Sequence, residues 1–339
     1  MFEGKKILIT GGTGSLGTAL TKKLLDSKAD TIRIFSRNES KQVEMESKFN
    51  DKRIRFLLGD VRDYERLLMA VEDIDYVFHA AALKHVPKIE YNPFESIKTN
   101  VIGSQNVINA CLKSNVKKVI GIGTDKAVSP LNTYGATKLL MEKLFVSANN
   151  YSDREKHDTK FIAVRYGNVL GSSGSVIPKF IDQLKSKNKV TITDPQMTRF
   201  SLTMDEALSF ILKAAEFGKG SEIFVPKMRA YTITDVKESL TGIFGDYGEE
   251  IIGIRSGEKI HETLISKDEI KYSWEYNNMY MISSPLYPMF NPEIITKTYD
   301  KIKKIDEFDK YSSDSVNKIS KVELKQIIEK SYLLDNKKD

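Results

Sequence analysis

Short apolar runs alternate with amphipathic stretches along the first half of the chain. The apolar runs are rich in Val, Ile and Phe and are bounded by Gly, Asp or Ser, a pattern typical of buried strands. They are Lys5–Thr10, Thr31–Ser36, Ile54–Leu58, Tyr76–Ala80, Lys118–Ile122 and Phe161–Arg165. Helical patterns lie between most of them, as in Leu16–Leu25, Tyr64–Val71, Pro93–Ser114 and Tyr134–Asn149. This alternation predicts βαβ units and an α/β fold, a Rossmann-like doubly wound parallel sheet covered on both faces.

The alternation is less regular after Gly171. A helix near Lys179–Lys187 and a strand at Val190–Thr193 are followed by a helix at Met204–Phe217 and a strand at Glu222–Pro226. The last two elements suit the parallel sheet, whereas the tail from Tyr231 mixes short helices and strands. We therefore predict a Rossmann domain of residues 1–170 plus roughly 198–227. A smaller mixed α/β substrate cap takes residues 171–197 and 228–339.

Composition narrows the functional class. The 339 residues suffice for two domains of about 150 residues each, and 40% of them are hydrophobic. A single cysteine, Cys111, excludes a disulfide framework and a Cys-based metal site, and no metal is expected. No stretch is long and apolar enough for membrane insertion, and no signal peptide is evident. The 52 basic and 46 acidic residues are interleaved, which argues against a nucleic-acid partner. We expect a cytoplasmic protein with a small anionic ligand.

A glycine-rich turn follows the first predicted strand and leads into a helix. The Gly11-x-x-Gly14-x-x-Gly17 spacing permits a tight turn, lets the backbone approach a pyrophosphate and directs the helix N-terminus at its charge. In the first unit of an alternating chain this pattern predicts a dinucleotide cofactor site, with a purely structural turn as the alternative. The predicted contacts are Gly11, Gly12, Thr13, Gly14, Ser15, Leu16 and Gly17.

The ends of the next strands indicate which dinucleotide binds. An acidic residue at the end of the second strand is typical of NAD sites, but here Arg37 and Lys41 suit a ribose 2′-phosphate. NADP is therefore favoured, with two solvated surface side chains as the less favoured alternative. The remaining predicted cofactor contacts are Ser36 and Asn38 beside them, Asp60 and Val61 after the third strand, and Ala80 and Ala81 after the fourth.

Catalytic candidates follow the fifth strand. Tyr134 and Lys138 are four residues apart and share one helix face. A lysine there lowers the pKa of the phenol and holds the nicotinamide ribose, so that Tyr134 acts as a base toward a sugar hydroxyl. Asp125 and Lys126 lie just upstream as a candidate acid and base, with a solvated loop pair as the alternative.

These motifs resemble the extended short-chain dehydrogenase/reductase superfamily. The stretch Thr124–Lys138 (TDKAVSPLNTYGATK) is more specific, and is similar to inverting UDP-N-acetylglucosamine 4,6-dehydratases that epimerise C5 in pseudaminic acid, capsule or O-antigen synthesis. The similarity covers nearly the whole chain. Further matching stretches are AALKHVP at 81–87, RYGNV at 165–169, GSVIP at 174–178, MTRF at 197–200, GEKIH at 257–261 and YSSD at 311–314.

The resemblance implies a mechanism. Tyr134 removes the 4-hydroxyl proton while hydride passes from C4 to NADP, and Thr124 binds near O4. A desolvated, neutral Lys126 then takes the C5 proton, and a protonated Asp125 donates to the departing 6-hydroxyl. Hydride returns to C6, and protonation from the opposite face inverts C5. Retaining dehydratases carry an Asp–Glu pair at positions 125 and 126. Tyr134 replaces the Met of some capsule relatives, which places the chain nearer the flagellin-sugar branch.

The resemblance also implies contacts around the sugar nucleotide. Lys84 is expected to touch cofactor and sugar, and Tyr166 to lie beside the nicotinamide, while for each residue a structural role remains the alternative. The expected substrate contacts are Lys84, Thr99, Asn100, Asn168, Val176, Thr193, Arg199, Arg255, Glu258 and Tyr311, and Asn168 is also expected to contact the cofactor.

Two other functions remain open. A UDP-sugar 4-epimerase needs no acid–base pair for C5 and C6, so Asp125 and Lys126 argue against it. A non-catalytic NADP-binding sensor commonly loses the Tyr or the Lys, and this chain keeps both Tyr134 and Lys138. Relatives imply a homo-oligomer, a dimer or larger. The sequence leaves the downstream pathway open.

Overall fold

A ten-stranded sheet forms the centre of the computed structural model, which describes residues 1–151, 158–171, 175–286, 291–306 and 308–330. The strands of the first half are β1 (Lys6–Thr10), β2 (Thr31–Ser36), β3 (Ile54–Leu58), β4 (Tyr76–His79), β5 (Lys118–Ile122) and β6 (Lys160–Val164). They run parallel in the order β3-β2-β1-β4-β5-β6. The direction of winding reverses between β1 and β4, where such sheets bind ligands. The predicted α/β class with a Rossmann-like parallel sheet is confirmed.

Helices cover both faces of this sheet. They are α1 (Ser15–Asp26), α2 (Glu39–Phe49), α3 (Tyr64–Val71), α4 (Val86–Tyr91), α5 (Pro93–Ser96), α6 (Gly103–Lys113) and α7 (Thr133–Ala148). Because successive strand residues point to opposite faces, Ile7 and Ile9 of β1 join one apolar cluster and Leu8 joins another. The apolar stripe of α1 packs into the first cluster through Leu20 and Leu24, which are both fully buried.

The helix predicted over Pro93–Ser114 is interrupted in the structure. A π-helical segment, Ile97–Ile102, separates α5 from α6. Its residue Asn100 is buried, donates to the carbonyl of Leu83 at 2.9 Å and accepts from the Leu83 amide at 2.8 Å. The wider turn thus places a side chain that fixes the loop after β4. The sequence does not reveal the interruption because apolar periodicity barely changes across one π turn.

Smaller strands and helices complete the chain. The strands are β7 (Asn168–Val169), β8 (Val190–Ile192), β9 (Thr198–Leu202), β10 (Ile223–Pro226), β11 (Arg229–Thr232), β12 (Glu249–Ile251), β13 (Thr263–Ile265), β14 (Ser273–Tyr276), β15 (Met279–Ile282), β16 (Lys303–Lys304) and β17 (Tyr311–Ser312). The helices are α8 (Val176–Lys185), α9 (Met204–Phe217), α10 (Ile233–Phe244), α11 (Lys267–Ile270), α12 (Pro292–Thr298) and α13 (Lys321–Ile328). Among the described residues, no helix is long and apolar enough to cross a membrane.

Part of the C-terminal tail extends the large sheet. β10 pairs in parallel with β6, as expected, and β15, β14 and β16 then follow antiparallel. β14 and β15 form a hairpin through Asn277 and Asn278, whose positive φ angles asparagine tolerates well. The sequence pattern assigns residues 228–339 to the substrate cap, but these strands belong to the large sheet. Short strands carry no local signal of the sheet they join.

A separate apolar cluster lies under the remaining C-terminal elements. It joins α8, β8, α10 and α13 through side chains such as Phe180, Ile192, Leu240 and Leu324. The remaining strands form three small sheets, in the orders β11-β9-β7, β12-β8 and β13-β17. Gly174, the first residue of the GSVIP stretch, lies outside the described residues.

Candidate active site

The glycine turn between β1 and α1 requires glycine for steric reasons. Gly11 has a φ of +68°, and a Cβ there would lie 2.8 Å from the Ala81 backbone. At Gly17 a Cβ would lie only 2.4 Å from the carbonyl oxygen of Gly12. Helix α1 begins at Ser15, and no side chain caps its N-terminus. The turn therefore leaves backbone N–H groups available for an anion.

A cavity of about 290 Å³ adjoins this turn at the end of β2. Its walls include Arg37, whose guanidinium lies 3.6 Å from a carboxylate oxygen of Asp60 and is half exposed. Asn38 accepts a hydrogen bond from the Lys41 amide and so caps α2. The predicted cofactor residues that line this cavity are Gly11, Thr13, Gly14, Ser36, Arg37, Asn38, Lys41, Val61 and Ala81, together with the predicted substrate residue Thr99. Arg37 and Lys41 give this cavity a cationic edge that suits a phosphate.

A larger cavity of about 850 Å³ lies between the carboxyl ends of the parallel strands and the C-terminal elements. Most predicted site residues line it, including residues far apart in sequence. They are Gly11, Gly14, Ser15, Leu16, Gly17, Ala80, Ala81, Lys84, Thr124, Lys126, Tyr134, Lys138, Tyr166, Asn168, Val176, Thr193, Arg199, Arg255 and Glu258. Five predicted residues, Gly12, Asp60, Asn100, Asp125 and Tyr311, line neither cavity.

Two of these five have clear structural roles. The amide of Asn100 is used by the Leu83 backbone, as described above. The Tyr311 ring is buried against Phe200 and Tyr280, and its hydroxyl donates to the carbonyl of Met228 at 3.1 Å. The expectation that these two side chains contact the substrate does not fit their positions. Motif resemblance identified the stretches but not which way the side chains point.

Thr124, Asp125 and Lys126 form a compact turn after β5. Thr124 caps the short 3-10 helix Asp125–Ala127, and its hydroxyl donates to Asp125 Oδ1 at 3.0 Å. The Lys126 ammonium donates to the same oxygen at 3.1 Å. Asp125 is almost fully buried, which raises its pKa, and its Oδ2 has no hydrogen-bond partner in the described part of the chain. A raised pKa favours the protonated carboxyl that an acid role requires.

Glu262 is a member of this cluster that the sequence analysis missed. Its Oε1 lies 3.4 Å from Lys126 Nζ, and it lines the large cavity. Burial lowers the pKa of Lys126, but Asp125 and Glu262 outweigh that effect and the pKa is raised. The expectation of a neutral Lys126 is therefore not met, because the sequence shows one neighbouring carboxylate and the fold adds a second.

Tyr134 lies in the first turn of α7 beside this cluster. Burial raises its pKa, whereas the charge of Lys126 and a hydrogen bond with Thr124 oppose the increase. Lys138 is also buried, which lowers its pKa to about 8, and its ammonium donates to the carbonyl of Ile122. The cation that favours the phenolate here is thus Lys126, whereas the sequence analysis assigned that role to Lys138.

Cationic side chains line the cavity near α8. Arg255 lies 3.5 Å from Glu258, whose Oε2 is buried without a partner. Lys179, which the sequence analysis missed, lines the same wall, and its pKa is lowered by burial and by the charge of Arg255. Arg199 donates to the carbonyls of Thr198 and Ile260. Arg255 and Lys179 carry two positive charges against the one carboxylate of Glu258, so this wall suits an anionic group.

The chain is similar to proteins of nucleotide-sugar metabolism. Residues 7–284 match the family model described as "Polysaccharide biosynthesis protein". A UDP-N-acetylglucosamine 4,6-dehydratase (inverting) from Campylobacter jejuni is 48% identical over 320 residues, covering 93% of this chain and 94% of the relative. A UDP-glucose 4-epimerase from Rickettsia bellii is 42% identical, covering 97% and 96%. The X-ray structure of Pen from Bacillus thuringiensis has a TM-score of 0.88 at 40% identity, covering 98% of this chain and 99% of that chain.

Proposed function

Because the chain belongs to the polysaccharide biosynthesis protein family, within the extended short-chain dehydrogenases/reductases, we propose that it is an inverting UDP-N-acetylglucosamine 4,6-dehydratase. Its product is UDP-2-acetamido-2,6-dideoxy-β-L-arabino-hex-4-ulose. The observation that carries the proposal is the pair of buried Asp125 and partly exposed Lys126, 3.1 Å apart and beside Tyr134. Removal of the C5 proton and the 6-hydroxyl requires such an acid and base, in addition to the base for O4.

We propose NADP as the cofactor. The steric need for glycine at Gly11 and Gly17 and the uncapped start of α1 fit a pyrophosphate. Arg37 and Lys41 in the smaller cavity favour a 2′-phosphate through charge-assisted hydrogen bonds. A bound nicotinamide would supply the hydride acceptor for C4 and the hydride donor for C6, with no net oxidation. Lys138 lines the same cavity as Tyr134, which supports a role in holding the ribose.

Tyr134 is the proposed base for the 4-hydroxyl. Its phenolate takes the hydroxyl proton as the C4–H bond breaks, and the sugar becomes a 4-ketone. The Lys126 ammonium and the hydrogen bond with Thr124 stabilise that phenolate. Thr124 lines the cavity, which supports a role in holding O4 during this step. The new ketone acidifies the C5 proton and so prepares the elimination.

The Asp125–Lys126 pair is proposed to carry out the elimination. A proton moving along its hydrogen bond leaves a Lys126 amine and an Asp125 carboxylic acid. The amine takes the C5 proton, the C6–O bond breaks, and the acid proton leaves with the hydroxyl as water. The pair is then again an ammonium and a carboxylate. The proton that reaches the opposite face of C5 would come from solvent, which in turn takes up the proton that Tyr134 removed from O4. With hydride addition at C6, this protonation inverts C5.

The substrate is proposed to occupy the large cavity with its diphosphate toward Arg255. The arginine fork matches phosphate oxygens, and Lys179 adds a second positive charge. Thr193 and Arg199 line the wall assigned to the uridine, and Lys84 the region shared by sugar and nicotinamide. A volume of about 850 Å³ accommodates both a nicotinamide and a sugar nucleotide better than either alone.

A UDP-sugar 4-epimerase is the second candidate because of the Rickettsia bellii relative. An epimerase uses the Tyr134 base and the cofactor but has no task for a buried base and acid beside C5. Burying Asp125 and partly burying Lys126 without such a task carries a free-energy cost, since ionised groups lose hydration. The two functions differ in a simple observable, which is the loss of water from the sugar.

The test is incubation of the purified protein with UDP-N-acetylglucosamine in D2O, without added cofactor, followed by NMR. A 4-keto-6-deoxy product with deuterium at an inverted C5 is the expected result. Deuterium at a C5 of retained configuration removes the inverting assignment. A 4-epimer without deuterium at C5 supports the epimerase. No reaction, even after NADP+ is added, overturns the proposed substrate or the enzyme assignment.

The cellular setting extends the same proposal. We propose that the enzyme acts in the cytoplasm as a homo-oligomer and supplies surface-glycan or flagellin-sugar biosynthesis. Exposed apolar side chains on α4, α5 and the π-helical segment, including Tyr91, Phe94 and Ile102, support self-association. Sedimentation of the purified protein measures the oligomeric state directly.

A further inference from the structure

Glu262 lies in the cavity wall and close to Lys126, although the two residues are far apart in sequence. Its side chain is about 4% exposed, and Oε1 lies 3.4 Å from Lys126 Nζ and 3.9 Å from Arg199 Nε. Asp125 contacts the same ammonium from behind the cavity wall, since it lines neither cavity. Lys126 is therefore held between two carboxylates, of which Glu262 is the one at the cavity.

The backbone around Glu262 is firmly anchored. Its amide donates to the Ser313 hydroxyl at 2.9 Å, and its carbonyl accepts from the Ser313 amide at 2.8 Å. The neighbouring His261 shares a hydrogen bond of 2.8 Å with the Thr198 hydroxyl. These contacts tie the residue to β9 and β17 on both sides. The position of the carboxylate is thus fixed by the C-terminal elements rather than by Lys126.

The carboxylate itself is incompletely satisfied. Glu262 Oε2 is buried and has no hydrogen-bond partner among the described residues. A buried carboxylate with a purely structural role normally has both oxygens hydrogen-bonded, because an unmet acceptor is costly. Glu262 therefore keeps capacity to accept a proton or a donor group beside Lys126.

We propose that Glu262 is a positioning residue for the C5 base, holding the Lys126 ammonium at the cavity wall and controlling when that ammonium releases its proton. This inference rests on the proposed dehydratase function. Among the described residues, the charged and titratable groups facing the cluster are Asp125, Lys126, Tyr134, Arg199, Tyr231, Lys259 and Glu262. Within this set, Glu262 stabilises the positive charge of Lys126 and opposes negative charge on Asp125. Both effects keep protons on the pair until the substrate is in place.

The test is the pH dependence of dehydration in the full-length protein carrying Glu262→Gln. The amide keeps the size of the side chain but removes its charge, so the Lys126 amine forms more readily. The midpoint of the limb that rises with pH should move to lower pH by about 1–3 units, the usual effect of an opposite charge at this distance. Glu262→Asp, which keeps the negative charge, should bring the midpoint at least part of the way back to the wild-type value. Glu323→Gln, in an exposed ion pair with Arg229, is the matched control and should leave the profile unchanged.

Four results would count against the inference. An unmoved midpoint with a uniformly lower rate shows a structural role only, and a shift to higher pH contradicts the sign of the argument. If Glu262→Gln loses NADP+ binding or its folded circular dichroism spectrum, Glu262→Ala, which also removes the charge, is measured in its place, and an unmoved midpoint there overturns the inference. A wild-type protein that releases no water overturns the proposed function itself, and this inference with it.

Discussion

Replacing Arg165 by methionine should destabilise the protein strongly. The guanidinium is fully buried and donates to Glu142 Oε2 at 2.7 Å and to Glu269 Oε1 at 3.0 Å. It also donates to the carbonyl of Leu264 at 2.9 Å. These contacts join β6 to α7, which carries Tyr134, and to α11 of the C-terminal tail. Methionine fills much of the same volume but leaves two carboxylates without their cation.

The magnitude follows from burial. Breaking a buried ion pair by removing one partner costs about 3–5 kcal/mol, because the remaining charge is left uncompensated in a medium of low polarity. Glu142 is fully buried, and burial already raises its pKa above the ordinary value of 4.5 despite Arg165. Without Arg165 the pKa rises further. A carboxyl whose pKa is higher in the folded than in the unfolded protein stabilises the fold at pH values below its unfolded-state pKa. This stabilisation is lost as the pH rises through the folded-state pKa. The loss of stability in Arg165→Met should therefore be largest at neutral pH and smaller in acid.

Urea unfolding followed by circular dichroism measures this effect. We expect the free energy of unfolding of Arg165→Met to fall by about 3–5 kcal/mol at neutral pH, and by less at pH 5. Arg229→Met is the matched control, since Arg229 makes a similar two-pronged contact with Glu323 on the surface, and it should change stability far less. Equal losses for the two variants, or a penalty that grows in acid, would refute the reasoning.

Three further predictions concern the site. Lys126→Ala should abolish water loss and C5 deuteration measured by NMR while NADP+ still binds in a fluorescence titration; normal dehydration would show that the base is misassigned. Gly17→Ala should weaken NADP+ binding at least tenfold, since its Cβ would lie 2.4 Å from the carbonyl of Gly12. Gly242→Ala, with nothing within 4 Å of the added carbon, should bind as wild type. Arg37→Ala should reduce the preference for NADP+ over NAD+ in the same titration, and an unchanged preference would place the 2′-phosphate elsewhere.

The first half of the fold was predictable because its signals are local. Each parallel strand from β1 to β6 is an apolar run of about five residues, and the glycine turn is contiguous with the strand and helix it joins. The tail was not predictable in the same way. β14 and β15 have ordinary strand patterns, but the pairing of β15 with β10 is set by long-range packing that no local pattern records.

The site is likewise divided between residues that a local sequence pattern predicts and residues whose positions depend on long-range packing. Lys126 and Tyr134 were identified from one contiguous stretch, and both line the cavity. Tyr311 was identified by similarity of a short stretch, yet its ring packs into the core. Motifs locate a segment of backbone, whereas the direction of each side chain depends on neighbours that come from elsewhere in the chain.

The protonation of the catalytic cluster depends on this long-range packing. From sequence, Asp125 and Lys126 form a pair of opposite charges whose burial suggests a neutral amine. Folding adds Glu262 at 3.4 Å, and a lysine between two carboxylates favours its charged form although much of its side chain is withdrawn from solvent. On the proposed mechanism, the resting site holds its protons rather than accepting one. The substrate would then have to change the balance among three groups, two from the turn after β5 and one from the C-terminal tail. On that proposal the tail would contribute to the timing of proton transfer as well as to the enclosure of the sugar nucleotide.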